Sequence, residues 1–248
     1  LRGVHRRRLL LQLVVDLLAY SRVGSQSAPP KPVKAQAILN STLDGMSKAI
    51  QDAQAQITRG LGVRATVLPM SDQPVRTRIK SSGEWRGLQE YLIIEGGQTE
   101  VEGVQLDGIE EAEPTPELIE AISSADLIVI GPSNPVISIG PILAVPGIRQ
   151  AMIEAAAPVV AVSPYVAGKV IKGPTDLFMK AIGRPTTATG VAGLYQGLIN
   201  AMITDADDPD PPPTEVRSFS TATLMHSAES RATVARAVIK VGETLAGS

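Results

Sequence analysis

Two segments of the sequence gather side chains suited to holding a phosphate-bearing ligand. The first is Gly131-Pro132-Ser133-Asn134-Pro135-Val136-Ile137-Ser138-Ile139-Gly140. Ser133, Asn134 and Ser138 supply neutral donors and acceptors, fit for a phosphate or a polar heterocycle. Gly131 and Gly140 permit close backbone approach, and Pro132 and Pro135 stiffen the chain between them. Turn chemistry, with Ser and Asn bonding their own backbone, accounts for the same composition equally well. The second segment, residues 163–174, carries Lys169 and Lys172. Their ammonium groups suit a pyrophosphate whose charge they would neutralise during transfer; plain solvated lysines are the alternative. A third segment, residues 68–78, holds Asp72, fit for a cation or a sugar hydroxyl, and Arg76 and Arg78, fit for anions. Two positions apart on a strand, the arginines share one face, which a charged strand edge would show as well. Glu90, in Leu88-Gln89-Glu90-Tyr91, is ambiguous in the same way. The chain has neither a Walker sequence nor a G-x-G-x-x-G fingerprint. No acid marks His226 as half of a catalytic pair, and a place beside a helix cap is its expected role.

Composition narrows the chemistry further. Hydrophobic residues make up 44% of the 248 but aromatics only 3%, so the core is aliphatic and stacking platforms for single-stranded nucleic acid are scarce. A net charge of -2 gives no overall basic footprint for nucleic acid. With no cysteine and only His5 and His226, thiolate and multi-histidine metal sites are excluded. A metal would be oxygen-liganded, which points to magnesium rather than zinc.

These groups need elements to position them. Residues 125–130 form a near-continuous apolar run, the pattern of a strand covered on both faces. Residues 146–156 read as a helix and 158–162 as a second buried strand, which together make a βαβ unit. Ligands of such sheets bind beyond the carboxyl ends of the strands, where both loops emerge. Ser133, Asn134 and Ser138 are therefore expected to line one pocket there. Thr115 and Pro116 open a helix running to about Ser123. Further helices are expected at 175–182 and 190–198, a strand at 199–204, an acidic Pro-rich loop at 205–213 and an edge strand at 216–219. Ser227 is expected to cap a closing helix. Toward the amino end, 43–61 has helical spacing, 64–68 reads as a strand, and 77–80 with 85–94 flank a hairpin turn at Ser81-Ser82-Gly83. The predicted architecture is three-layer α/β/α, with a mostly parallel Rossmann-like sheet and a small hairpin element.

Residues 1–34 differ from the rest. They hold seven Lys and Arg against the single acid Asp16. Arg6, Arg7 and Arg8 precede an apolar run at 9–18, the outline of a signal peptide. Gln12 and Asp16 interrupt that run, and it falls well short of the roughly 20 apolar residues of a membrane span. An amphipathic helix and a Pro-rich linker are expected instead, packing poorly against a domain at 35–248.

The run from Gly131 to Arg149 resembles the signature of 2-phospho-L-lactate transferases, and supporting blocks at 68–78, 89–91 and 162–174 match in the family's order. The resemblance covers about residues 60–245. It implies a magnesium-dependent, cytoplasmic enzyme of coenzyme F-420 biosynthesis. A phospholactyl or phosphoenolpyruvyl group would move from a guanylyl diphosphate donor to a hydroxyl of a deazaflavin precursor, with release of GMP. On matching positions, Ser133, Asn134 and Ser138 would contact the acceptor or phosphate. Lys169 and Lys172 would contact phosphate, with Asp72 and Arg76 as lesser candidates. The implied partners are the two substrates, with neither nucleic acid nor membrane, and a homodimer is compatible. The family's opening glycine-rich loop and aspartate-rich metal segment have no counterpart, so the likeness is to the C-terminal two-thirds of the enzyme. A non-catalytic nucleotide or nucleotide-sugar binder, or an inactive fragment, is the alternative.

Overall fold

The structure, a computed structural model, describes residues 9–12 and 65–247. The helix expected at 43–61, most of the leader and the boundary near residue 34 lie outside the described residues. Leu9–Gln12 and the chain from Met70 onward belong to one compact unit. Of the second unit only 65–69 are described, and the strand expected at 64–68 is absent from its described part.

The unit is organised by a five-stranded sheet of β1 (Leu9–Gln12), β5 (Leu127–Ile130), β6 (Val159–Val162), β9 (Ala201–Asp205) and β10 (Arg217–Thr221). Their spatial order is β1-β5-β6-β9-β10, and every neighbouring pair is parallel. All residues of β5, β6 and β9 are buried; the unbroken apolar runs of β5 and β6 require this of strands covered on both faces. On one face, Leu127, Val129, Val160, Val162 and Ile203 meet Val234, Val238 and Val241. Those three valines belong to the long closing helix, Ala228–Ala246. On the other face lie α1 (Pro116–Ser123), α2 (Gly140–Ala144) and α3 (Ile148–Glu154). Leu118, Ile122, Ile148 and Met152 from these helices line an apolar recess with Ile128 and Ile130. Three layers result, and β5–α3–β6 is the expected crossover. α4 (Thr175–Ala181) and α5 (Ala188–Leu194) complete the helices before the closing one, α6.

Local chemistry sets the helix starts. Thr115 holds the N-cap position of α1 with Pro116 in its first turn. Ser227 caps α6 in a reciprocal box with Ser230, each side chain bonding the other's backbone amide.

The expected hairpin belongs to a second sheet, with β2 (Arg76–Ser81) between β3 (Glu84–Gly87) and β4 (Gly103–Asp107), all antiparallel. Ser82 and Gly83 turn it with φ of 51° and 78°, the left-handed pair that matches strand twist. Residues 85–94 are not one strand: β3 ends at Gly87 and Glu90–Ile94 coils into a π-helical turn. The leader is corrected too. Leu9–Gln12 is a strand, not helix, and its backbone runs in register with β5 from Leu9↔Leu127 to Gln12↔Ile130. A short apolar run has no periodicity to separate the two states, and an open parallel edge favours the extended one. No single described helix is long and apolar enough to cross a membrane; the pair Pro135–Ala144 and Ile148–Glu154 bends by 81°.

α6 lies tight on β5, since a β-carbon at Gly242 would stand 2.7 Å from Leu127 Cδ1 and 3.2 Å from its Cγ. Gly242→Ala should lower stability by about 1–3 kcal/mol, as overpacking of a filled core does. The check is a lower urea midpoint with unchanged slope.

Candidate ligand site at the carboxyl edge

Because the five strands are parallel, their carboxyl ends share one edge of the sheet. From it emerge the loop after β5, the loop after β6 and the chain after β9. Side chains knit these segments together. Asn134 Oδ1 accepts from the amides of Val136 (2.9 Å) and Ile137 (3.1 Å), which winds Pro135–Ile139 into a π-helical turn. Asn134 Nδ2 donates to Thr175 Oγ1 at 3.2 Å, tying this loop to the start of α4. Ser133 N donates to the carbonyl of Gly131 at 2.8 Å, and Ser138 N to that of Asn134 at 3.1 Å. A β-carbon at Gly140 would stand 3.0 Å from the Pro135 carbonyl, so this glycine's open side is filled by the loop itself. Asn134 thus performs turn chemistry with its carboxamide, while Ser133 and Ser138 sit half-buried in the same turn. None of the three lines the apolar recess behind Gly131.

The second loop is a tight hairpin of β7 (Tyr165–Val166) and β8 (Lys169–Val170), turned by Ala167 and Gly168 with φ of 49° and 72°. Lys169 and Lys172 are both exposed, and neither forms an ion pair with another described residue. Tyr165, 1% exposed, donates its hydroxyl to Asp176 Oδ1 at 2.9 Å. Burial, then the bond to Asp176 and its charge, push the phenol well above its ordinary range, so it stays a donor.

The hub of the edge is Asp205, the last residue of β9 and 5% exposed. Its Oδ2 accepts from the Thr223 amide (2.7 Å) and hydroxyl (2.9 Å). Its Oδ1 accepts from the amides of Ala167 (3.1 Å) and Asp207 (3.2 Å). Burial alone would raise its pKa, but these four donors outweigh it and hold the carboxyl below its ordinary value. The sequence places Asp205 at the start of an acidic Pro-rich loop. The signal that marks it is an acid directly closing a buried strand, hidden by Asp207, Asp208 and Asp210 beside it.

The third segment has a different setting. Ser71 Oγ donates to Gln73 Oε1, which also accepts from the Glu113 amide, and Ser71 bridges Pro114. Residues 71–73 are thereby pinned at the entry of α1, with Asp72 exposed beside them. Since the exit of α1 feeds the amino end of β5, this entry lies on the carboxyl side of the sheet. Arg76 is exposed on β2, opposite Asp107. Arg78 is engaged locally, with Asp107 at 3.8 Å and the Trp85 carbonyl at 3.2 Å. Glu90 and His226 are exposed. Tyr91 is core: it is fully buried, donates to the Thr99 carbonyl at 2.6 Å and sets its ring edge-on to Phe178. Ile79, Tyr91, Val101 and Phe178 pack against Val136 and Ile137, so the small sheet braces the Asn134 turn.

Among the described residues no three acidic or histidine side chains stand together as metal ligands. Asp205 has all four bonding positions filled, and Asp72 stands alone. The described residues therefore hold no ready-made set of three such ligands for the expected magnesium.

The profile of 2-phospho-L-lactate transferase CofD matches residues 12–241, so the likeness begins well before the motifs that carried it in the sequence. A 2-phospho-L-lactate transferase of Methanosarcina barkeri is 34% identical over 216 residues, covering 86% of this chain and 69% of the relative. One of Methanopyrus kandleri is 34% identical, covering 80% and 64%. A phosphoenolpyruvate transferase of Streptomyces griseus is 38% identical, covering 73% and 59%. The chain thus spans about two thirds, or less, of the length of these relatives. The solved structure of protein BH3568 from Bacillus halodurans shares the fold, with a TM-score of 0.53 at 21% identity, covering 82% of this chain and 71% of that one.

Two substitutions test the edge. Asn134→Ala removes a cap and the tie to Thr175 and should cost about 0.5–2 kcal/mol in thermal unfolding, whereas Asn134→Asp keeps the acceptor and most of the stability. Asp205→Asn turns an acceptor into an NH2 facing N–H donors and should cost about 1.5–3 kcal/mol. Because the folded carboxyl titrates below its unfolded value, its contribution is complete above that value, 3.8, and fades as pH falls through the lower folded one. Denaturant titrations below pH 4 should show the wild type converging on the variant.

Proposed function

The chain belongs to the 2-phospho-L-lactate transferase family, and from that premise we propose that it transfers a phospholactyl or phosphoenolpyruvyl group from a guanylyl diphosphate donor to a hydroxyl of a deazaflavin precursor. GMP leaves, and the product is a step toward coenzyme F-420. The observation that carries this reading is the family match over residues 12–241, within which the 131–140 and 163–174 loops leave one edge of the sheet. Both named activities among the relatives, phospholactate and phosphoenolpyruvate transfer, are compatible with it.

The chemistry is attack of an alcohol on one phosphorus of a pyrophosphate. Its demands are alignment of the hydroxyl with that phosphorus and stabilisation of the negative charge on the oxygens. Ser133 and Ser138, on a turn held by Asn134, are assigned to the phosphate or acceptor, and Lys169 and Lys172 to the diphosphate. Asp72 and Arg76 are assigned to outer contacts with the nucleotide. Neither lysine is ion-paired with another described residue, which supports their part, since no described carboxylate must be displaced first. The reaction is assigned to the cytoplasm.

A second reading, a nucleotide binder without transfer activity, is favoured by the lack, among the described residues, of three acidic or histidine side chains placed to hold a metal ion. Calorimetry with GMP and an assay of GMP release from the donor, with magnesium and deazaflavin precursor, separate the two. GMP should bind weakly, and Lys169→Ala with Lys172→Ala should weaken it at least about tenfold, the scale of one charge-assisted bond. GMP release should be measurable but far slower than that of a full-length relative. Binding without release supports the second reading. No binding of donor or acceptor leaves a chain without independent function.

A further inference from the structure

Transfer to an alcohol requires a base, and the geometry points to Asp176 as the catalytic carboxylate that accepts the acceptor's hydroxyl proton, an inference that rests on the proposed transfer. Asp176 is the second residue of α4, directly after Thr175, which Asn134 Nδ2 holds at 3.2 Å. It is also the fourth residue after Lys172. A carboxylate is thus fixed between the serine-bearing loop and the lysine-bearing loop, on the side of the sheet where the strands end.

Its anchoring is unequal. Oδ1 accepts from the hydroxyl of buried Tyr165 at 2.9 Å, while Oδ2 has no hydrogen-bond partner among the described residues, and the residue is exposed. A buried tyrosine needs an acceptor, which accounts for Oδ1 on structural grounds alone. It leaves the other oxygen oriented yet uncommitted, the state a general base needs. Of the other carboxylates of this edge, Asp208 is anchored through Oδ1 to the Asp210 amide at 3.2 Å, but its Oδ2 is buried away from solvent, closed to an incoming hydroxyl. Asp205 has four donors on it and no oxygen to offer. Asp72 is exposed, and the bonds that pin its segment are made by Ser71 and Gln73.

The step balances without a further reagent. The acceptor's oxygen forms a bond to the transferred phosphorus, and the bond from that phosphorus to the bridging oxygen breaks. Its electron pair departs on GMP, and the hydroxyl proton passes to Asp176 Oδ2.

The test compares the full chain with Asp176→Asn and Asp176→Glu. It uses the guanylyl diphosphate donor and deazaflavin precursor for GMP release, GMP alone for binding, and thermal unfolding for integrity. Asparagine keeps an acceptor for Tyr165, so the melting temperature should hold. kcat should fall at least about 100-fold, the lower range of general base catalysis. KM should stay within about threefold, since the group acts in the transition state. Glutamate should restore part of kcat. An unchanged kcat, or a loss that tracks a lower melting temperature, overturns the proposal. If the wild type binds GMP but transfers nothing, the base assignment falls while the phosphate site stands. If it binds no GMP, both fall.

Discussion

The carboxyl edge depends on one buried carboxylate. Asp205 closes the interior strand β9 and takes four hydrogen bonds from three other stretches of chain: the turn of the β7–β8 hairpin, the residue two beyond itself, and Thr223 ahead of α6. A charge so buried is tolerated only when every lone pair is satisfied, and here each is met by an N–H or O–H. The consequence is rigidity. The hairpin that carries Lys169 is hung from the sheet rather than from its own two short strands, which would be marginal alone. The constraint also removes Asp205 from chemistry, because a carboxylate with no free oxygen can bind neither metal nor proton at neutral pH.

The same economy holds in the first loop. Its polar residues divide between those that build the turn and those that the turn presents. Asn134 bonds two amides and Thr175, so it sets the backbone of residues 135–139 and ties that backbone to α4. Val136 and Ile137, on the same turn, pack into the core under the small antiparallel sheet. The small sheet therefore has a definite part: it supplies the apolar floor that keeps a glycine- and proline-rich loop in one shape. A loop braced on both sides suits a reaction that depends on alignment more than on covalent help.

The sequence made the sheet legible because its central strands are buried on both faces, and unbroken runs such as Leu127 to Ile130 have no other economical reading. The helix starts at Thr115 and Ser227 were equally plain, the first from a proline in the opening turn and the second from a hydroxyl capping box. What stayed hidden was whatever rested on distant partners. Nothing local distinguishes Asp205 from the exposed acids after it, since its donors come from residues 167 and 223. β4 was missed because Gly103 and Gln105 interrupt the apolar pattern, and only pairing with β2 makes them a strand. Leu9–Gln12 read as helix because three leucines carry no period, and the edge of β5 decides their state. For the site, residue types located the two loops, but not which polar groups the fold had already used.

That last distinction bears most directly on mechanism. A polar residue in a ligand loop has two claims on it, backbone and ligand, and sequence cannot tell which is met. In this chain the hydrogen-bond pattern separates them. Asn134 and Asp205 are spent within the protein, whereas Lys169 and Lys172 remain without a described ion-pair partner and Asp176 keeps one oxygen open. Groups of the first kind lose strength as structural ties if they must turn to a ligand. Groups of the second kind give up only water. Binding of a ligand at this edge then does not have to be offset by breaking the side-chain bonds of Asn134 and Asp205 that build it.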